Sequence, residues 1–366
     1  MRKVLFYINA IHHGGAEKVL VNLANNCAAT HYKTIVVTSF IDREEYTLSS
    51  EVERLSLEKY NLGKSFLNRN IARTIGLRKI CKKEKPDIVI SFMGEANFRA
   101  ILATRFLRIP TLISVRNDPD KEYENFLMKV LAKALFRLAD GCVFQTEEAK
   151  NWFPNQIKKK SRIILNQVDE KFFGTPYVGE RKDIVTVGRL EPQKNHRLLI
   201  RAFYRIAKRH QDVNLIIYGD GSLYTELSRY VEKLRLQERI KLKGAAMDIQ
   251  EKIYDAKLFV LSSDYEGLPN AVMEAMTLGI PVISTDCPCG GPRLLLQNNE
   301  YGILVPMKDE IAMARAMDQV LKDTKLANEL SQKGKLRSLA FEPKVVFKEW
   351  NEYINEIIDY NRSKKM

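Results

Sequence analysis

The sequence predicts an α/β protein built from two doubly wound halves and a helical tail. Three observations predict it. The chain has 366 residues, more than one compact domain usually holds, so two domains of ordinary size are expected. Short apolar runs alternate with stretches of helical spacing, the pattern of parallel strands buried between helices. The alternation stops once, in a segment marked by proline, glycine and lysine, and then restarts.

In the first half, VLFYINA (4–10), TIVVTSF (34–40), DIVISF (87–92), TLISV (111–115) and GCVFQ (141–145) read as buried strands. Segments 16–29, 65–84, 95–107 and 121–139 between them have helical spacing. The break at 151–183 carries two prolines, two glycines, a lysine run and one short strand, RIIL, which puts a boundary near 168–182. Strands then resume as IVTVG (184–188), NLIIYG (214–219), IKLKG (240–244), KLFVLSS (257–263), IPVIST (280–285) and GILVP (302–306). Helices are expected at about 195–209, 222–235, 248–255 and 270–278, and through most of 308–361. The expected domains are 1–170, 183–340 and a C-terminal helix, 341–366, packed back on the first half. No repeat with a period of 20–50 residues is visible.

Composition narrows the class. Apolar residues at 45% and charged residues at 28% exclude a disordered chain, a collagen-like rod and a disulfide-stapled miniprotein. Cys27, Cys81, Cys142, Cys287 and Cys289 are odd in number and scattered, as suits a reducing compartment. The formal charge is +14. Residues 1–175 hold 29 Lys/Arg against 19 Asp/Glu, and the remainder 30 against 26, so the excess sits in the first half. Such a half calls for an anionic partner or surface, or serves solubility alone. No run approaches the ~20 apolar residues of a membrane-spanning helix. The start, Met1-Arg2-Lys3 then VLFYINAI, superficially resembles a signal peptide. Its apolar run is short, contains Asn9, and leads into HHGGAEK rather than a small-residue cleavage site. It reads as the first strand of a cytoplasmic protein.

In such sheets, ligands bind beyond the carboxyl ends of the strands, and two sheets facing each other make a cleft. After IVTVG comes Gly188-Arg189-Leu190-Glu191-Pro192-Gln193-Lys194-Asn195. Gly188 permits a sharp turn. Arg189 and Lys194 place two cations over one strand end, where a helix capped by Asn195 adds its positive end. That set suits a diphosphate; the plain alternative is a solvated basic loop. After KLFVLSS comes Asp264-Tyr265-Glu266-Gly267-Leu268-Pro269-Asn270, leading to Glu274 within a helix. Backbone N–H groups at Gly267, Leu268 and Asn270, around Pro269, are expected to meet a phosphate or sugar oxygen at such an end. Glu274 can accept from ribose hydroxyls. The alternative is one surface glutamate and one intrahelical glutamate.

Together these residues resemble the donor half of the retaining glycosyltransferases of family 4, which have the two-domain GT-B architecture. Gly14-Gly15-Ala16-Glu17 after the first strand looks like the family's glycine-rich loop. Gly219-Asp220-Gly221, Lys243-Gly244 and Gly291-Pro292-Arg293 fall where the family has loops. The resemblance implies that Arg189 and Lys194 neutralise the departing nucleotide diphosphate. Glu274 would bind the donor ribose, Glu266 would face the transferred sugar, and the backbone at Lys243-Gly244 would lie by the base, with Gly188 and Gly219 shaping the loops. The first half would bind the acceptor, and Gly14 and Gly15 would let its first helix approach the donor. No metal and no cofactor are implied; the nucleotide-sugar, a UDP-sugar by family frequency, is a substrate. The acceptor implied is a saccharide, lipid-linked or soluble, in bacterial surface polysaccharide assembly: capsule, O-antigen or exopolysaccharide.

One departure concerns the acceptor side. Many relatives carry a His after the strand matching TLISV, where this chain has Arg116-Asn117. Arginine stays protonated, so Arg116 can meet donor or acceptor by charge but is a poor base. His12 and His13 beside the Gly-Gly loop are substitutes or plain polar surface. Cys287 and Cys289 lack a second pair and make no zinc site. The stretch Lys59 to Lys85 has nine Lys/Arg and one Glu, with Phe66, Leu67, Ile71, Ile75, Leu77 and Ile80 at helical spacing. Phe126, Leu127 and Val130 stand among Lys121, Lys129, Lys133 and Arg137. Both read as core-packing helices that also contact an anionic inner-membrane surface. The alternatives are a UDP-sugar epimerase of the same architecture and a non-catalytic basic protein binding nucleic acid. No nucleic-acid module is recognisable, so no such partner is expected.

Overall fold

The computed structural model describes residues 1–12, 14–42, 44–60, 65–174 and 177–364; His13 and the side chain of Phe66 lie outside it. The chain forms two compact units, Met1–Asn166 with Lys344–Met366, and Gln167–Pro343.

Among the described residues, the first unit holds seven parallel strands. They are β1 (Arg2–Ile8), β2 (Tyr32–Thr38), β3 (Glu53–Ser56), β4 (Ile88–Phe92), β5 (Thr111–Ser114), β6 (Gly141–Phe144) and β7 (Ser161–Ile163), ordered β3-β2-β1-β4-β5-β6-β7. Val4 pairs with Thr34 on one side and Ile88 on the other. Both faces of this sheet are covered, which is why its strands read as unbroken apolar runs. Val4, Phe6 and Ile8 face a core with Leu20 and Leu23 of helix Gly15–Ala28 and Trp350 and Ile354 of helix Pro343–Ser363. Leu5 and Tyr7 face Leu77 of helix Phe66–Glu84 and Ala96 and Ala100 of helix Gly94–Thr104.

The second unit holds β8 (Lys182–Val187), β9 (Leu215–Tyr218), β10 (Ile240–Leu242), β11 (Ala256–Leu261), β12 (Val282–Thr285) and β13 (Ile303–Val305), ordered β10-β9-β8-β11-β12-β13. Helices His196–Ile206 and Glu310–Lys322 bury Leu199, Phe203, Met313 and Met317 against one face. No helix of the described residues is long and apolar enough to cross a membrane.

Several elements differ from expectation. The predicted helix 121–139 is two, Pro119–Glu122 and Phe126–Leu135, because the Asn125 side chain accepts from the Met128 N–H and starts a new helix. The tail breaks the same way, as Asp309 and Asp323 cap helices Glu310–Lys322 and Thr324–Ser338, and a third begins at Pro343. Strand β3 has no apolar run to reveal it, since its ERLS is partly exposed. The predicted tail divides at Pro343, its last helix clustering with the first unit.

Candidate functional site

In each sheet the strand order reverses once, between β1 and β4 and between β8 and β11. Those are the points where open α/β sheets leave a crevice at their carboxyl ends. The two second-half motifs follow β8 and β11, so the topology brings them together.

Glycine shapes the floor. Gly219 has φ 143°, and a Cβ there would stand 2.0 Å from the Gly188 carbonyl oxygen. Only glycine allows these two turns to touch backbone to backbone. The Gly219 N–H donates to Gly244 at 2.8 Å, and the Gly188 N–H to Tyr218 at 3.0 Å. A Cβ on Gly291 would fall 1.7 Å from the Gly267 carbonyl oxygen, so the loop after β12 presses on the loop after β11.

Hydrogen bonds join the two motifs. Asn195 adopts φ 44°, caps helix His196–Ile206 by accepting from the Leu198 N–H, and donates through Nδ2 to Asp264 at 2.9 Å. Asp264 N–H donates to the Gln193 carbonyl at 2.8 Å, Gln193 Nε2 to that of Tyr265 at 2.9 Å, and Ser262 Oγ to that of Lys194 at 2.8 Å. The Lys194 stem lies over Gly188 and carries its Nζ to 2.5 Å from Glu266 Oε1. Ser263 Oγ donates to the same oxygen at 2.6 Å. Glu266 is 6% exposed and Glu274, inside helix Asn270–Thr277, is 7% exposed. Gly267, Leu268 and Pro269 are buried where that helix starts.

Arg189 is exposed, and its carbonyl lies 3.2 Å from His196 Nε2. Burial pulls the His196 imidazole down to about 4, so at neutral pH it adds no charge beneath Arg189. Cys287 and Cys289 form no disulfide and are buried, and burial raises the Cys287 thiol. Lys243 is exposed and lines a groove of about 310 Å³ over β8–β10, with Lys182, Tyr218, Lys241 and Lys252 among the others. None of the groove's lining residues belongs to the loops around Lys194 and Glu266. Among the described residues, no group of three His, Cys, Asp or Glu side chains could hold a metal ion.

In the first unit, Gly14 leads into helix Gly15–Ala28 in extended backbone, with its N–H bonded to His12. A Cβ on Gly14 would meet Glu17 Oε2 at 2.2 Å. Glu17 is buried in the helix's first turn, with His12 Nε2 3.4 Å from its Oε1. Arg116 turns inward. It is 7% exposed, lies 4.5 Å from the Phe92 ring centre and 5.3 Å from that of Trp350, and donates through Nη1 to Asn166 at 2.8 Å. Burial pulls its guanidinium down to about 9. Asn117 is half-buried. Sequence reasoning passed over Glu122, whose carboxyl burial pushes up to about 7 although it accepts from the Gly94 N–H. It also passed over Ser263, three residues before Glu266, although its strand-end position was a usable signal.

Comparisons with known proteins identify the family and the fold. Residues 167–337 match the family described as Glycosyl transferases group 1, and residues 13–172 match Glycosyltransferase Family 4. A Campylobacter jejuni protein, the GalNAc-alpha-(1->4)-GalNAc-alpha-(1->3)-diNAcBac-PP-undecaprenol alpha-1,4-N-acetyl-D-galactosaminyltransferase, is 28% identical over 98% of this chain and 99% of its own. An Escherichia coli UDP-Gal:alpha-D-GlcNAc-diphosphoundecaprenol alpha-1,3-galactosyltransferase is 28% identical over 73% of this chain and 74% of its own. In fold, Anabaena Alr3699/HepE, crystallised with UDP and glucose, matches with a TM-score of 0.82 at 18% identity, covering 97% of this chain and 100% of that one. With both halves matched in order, the chain belongs to the family 4 glycosyltransferases and has the GT-B fold.

Proposed function

We propose that the protein transfers a sugar, with retention, from a UDP-sugar to a lipid-linked saccharide in the assembly of a bacterial surface polysaccharide. The observation that carries the reading is the Lys194–Glu266 pair at the ends of the neighbouring strands β8 and β11, with Arg189 on the loop that carries Lys194 and Glu274 on the helix that follows Glu266. Breaking a sugar–diphosphate bond puts negative charge on the leaving group. Arg189 and Lys194 meet that charge, Glu266 faces the sugar, and Glu274 takes the ribose hydroxyls. The two relatives named above, both acting on diphosphoundecaprenol-linked saccharides by name, support the acceptor class. The reading assigns the charge to side chains rather than to a divalent ion, so a chelator leaves turnover unchanged. A thermal-shift series with UDP, GDP and TDP tests the donor. A ligand at 100 times its Kd stabilises by about 2.7 kcal/mol, so UDP is expected to stand out. Three unchanged melting curves would remove the donor assignment.

The acceptor reading places the first unit against the inner face of the plasma membrane. Helix Phe66–Glu84 exposes Leu67, Ile71 and Ile75 on one stripe. It packs beside helix Gly94–Thr104, which packs beside helix Phe126–Leu135. The last exposes Phe126, Leu127, Val130 and Leu131, with Lys129 among them and Lys133 after them, and Phe106 stands 85% exposed next to Arg105. Apolar side chains interleaved with cations suit the surface of anionic lipid. Sedimentation with phosphatidylglycerol vesicles is expected at low salt and is expected to fade above about 0.3 M, where screening shortens to a few ångströms. The Leu67→Ser/Phe126→Ser variant should bind less; equal binding by that variant, or no binding to anionic vesicles, removes this face as the docking surface.

A further inference from the structure

Glu266 is held by more than its lysine. Ser263 lies just beyond β11 and is fully buried. Its hydroxyl donates to Glu266 Oε1 at 2.6 Å, the oxygen that also receives Lys194 Nζ at 2.5 Å. Its carbonyl accepts from Thr285 Oγ1 at 2.6 Å, and Thr285, the last residue of β12, is itself fully buried. The neighbouring strand thus fixes the serine, and the serine has one acceptor for its proton. Two donors meet on one carboxylate oxygen. Among the described residues, Glu266 Oε2 has no hydrogen-bond partner.

We propose that Ser263 is the positioning residue of Glu266: with Thr285 behind it, it commits Oε1 to the protein and presents Oε2 to the reacting sugar. This deepens the donor reading above and rests on it. A carboxylate near the reacting carbon of a sugar is useful only if its orientation is set before the substrate arrives, since reorganisation during the reaction adds to the barrier. Lysine alone does not set it. An ammonium on a flexible stem is a point charge that tolerates many carboxylate rotations. The short, buried seryl hydroxyl is directional and removes that freedom. The charged or titratable neighbours of this arrangement are Lys194 and Cys287, with Asp286 beside Cys287.

The test is UDP release by the purified full chain from UDP-glucose, UDP-galactose, UDP-N-acetylglucosamine and UDP-N-acetylgalactosamine. Taking the donor that is fastest for the unaltered chain, Ser263→Ala is expected to lower kcat by about tenfold or more and to leave KM within about twofold, the signature of an interaction that matters beyond ground-state binding. Thr285→Val, which frees the Ser263 carbonyl, should act in the same direction by a smaller factor. A Ser263→Ala chain with kcat within twofold overturns the proposal. Melting of Ser263→Ala, Glu266→Ala and the double variant tests the contact without turnover: non-additive losses support it and additive losses overturn it. An unaltered chain that UDP does not stabilise overturns the donor reading instead, and the melting cycle then decides whether Ser263 holds Glu266.

Discussion

Arg189→Ala and Lys194→Ala are each expected to lower turnover by at least about a hundredfold. The reason is a comparison of magnitudes. The end of one helix supplies about 0.3–1 kcal/mol to a neighbouring charge when exposed, and up to about 2 when partly buried. Loss of one preorganised donor aimed at developing charge costs roughly 2.7–4 kcal/mol in well-studied sites, which is two to three decades of rate. Helix His196–Ile206 therefore helps, but the side chains dominate. The two variants should differ in stability. Arg189 is exposed, so its loss should leave the melting curve where it was. Lys194 is the partner of a buried carboxylate, and removing it leaves Glu266 with the Ser263 hydroxyl alone. Breaking one side of a buried pair is destabilising because a charge is left desolvated. Lys194→Ala should therefore melt lower than Arg189→Ala at neutral pH while losing comparable turnover. Both variants turning over normally, with folding intact, would mean that the leaving group is stabilised elsewhere.

What the sequence made legible follows from how local each signal is. The strands of both sheets were readable because parallel strands with both faces covered are continuous apolar runs, as in Val4 to Ile8, where alternate side chains enter two different cores. The places of the two motifs, after β8 and after β11, were readable because the apolar strands before them were. The Lys194–Glu266 pair was not readable, since its members stand 72 residues apart and meet only because β8 and β11 are neighbours. Arg116 shows the same limit from the other side. Read locally it was a cation after a strand, available to a ligand. In the fold it lies against Phe92 and Trp350, and the tryptophan arrives from the far end of the chain. Its Nε and Nη2 have no hydrogen-bond partner among the described residues, so what keeps it folded inward is ring stacking and the single bond to Asn166.

Trp350→Ala is expected to destabilise the first unit by about 3–5 kcal/mol, the range for removing a large buried aromatic side chain. For a unit of this size that is a fall in melting temperature of roughly 6–20 °C. Trp350 is 1% exposed and stacks on Phe92 with ring centres 5.8 Å apart. Its helix closes the sheet face opposite helix Phe66–Glu84. A Cβ on Gly141 would stand 2.5 Å from Ile357 and 2.7 Å from the Tyr353 hydroxyl, so the helix lies almost on the backbone of β6. Tyr353 Oη donates to the Lys160 carbonyl at 2.6 Å and accepts from the Cys142 N–H at 3.2 Å, bridging the edge of the sheet. Removing the indole opens a cavity beside Arg116, a buried cation with few partners, and water entering there would hydrate the guanidinium. That hydration offsets part of the loss, so the lower end of the range fits a cavity that fills and the upper end one that stays dry. Tyr360→Ala, on the same helix but 59% exposed, should leave the transition unmoved. Fluorescence of Trp152, the remaining tryptophan, reports on the first unit in both variants. An unchanged transition in Trp350→Ala would mean that the C-terminal helix does not complete this core, and the expectation that Arg116 is held by aromatic stacking would fall with it.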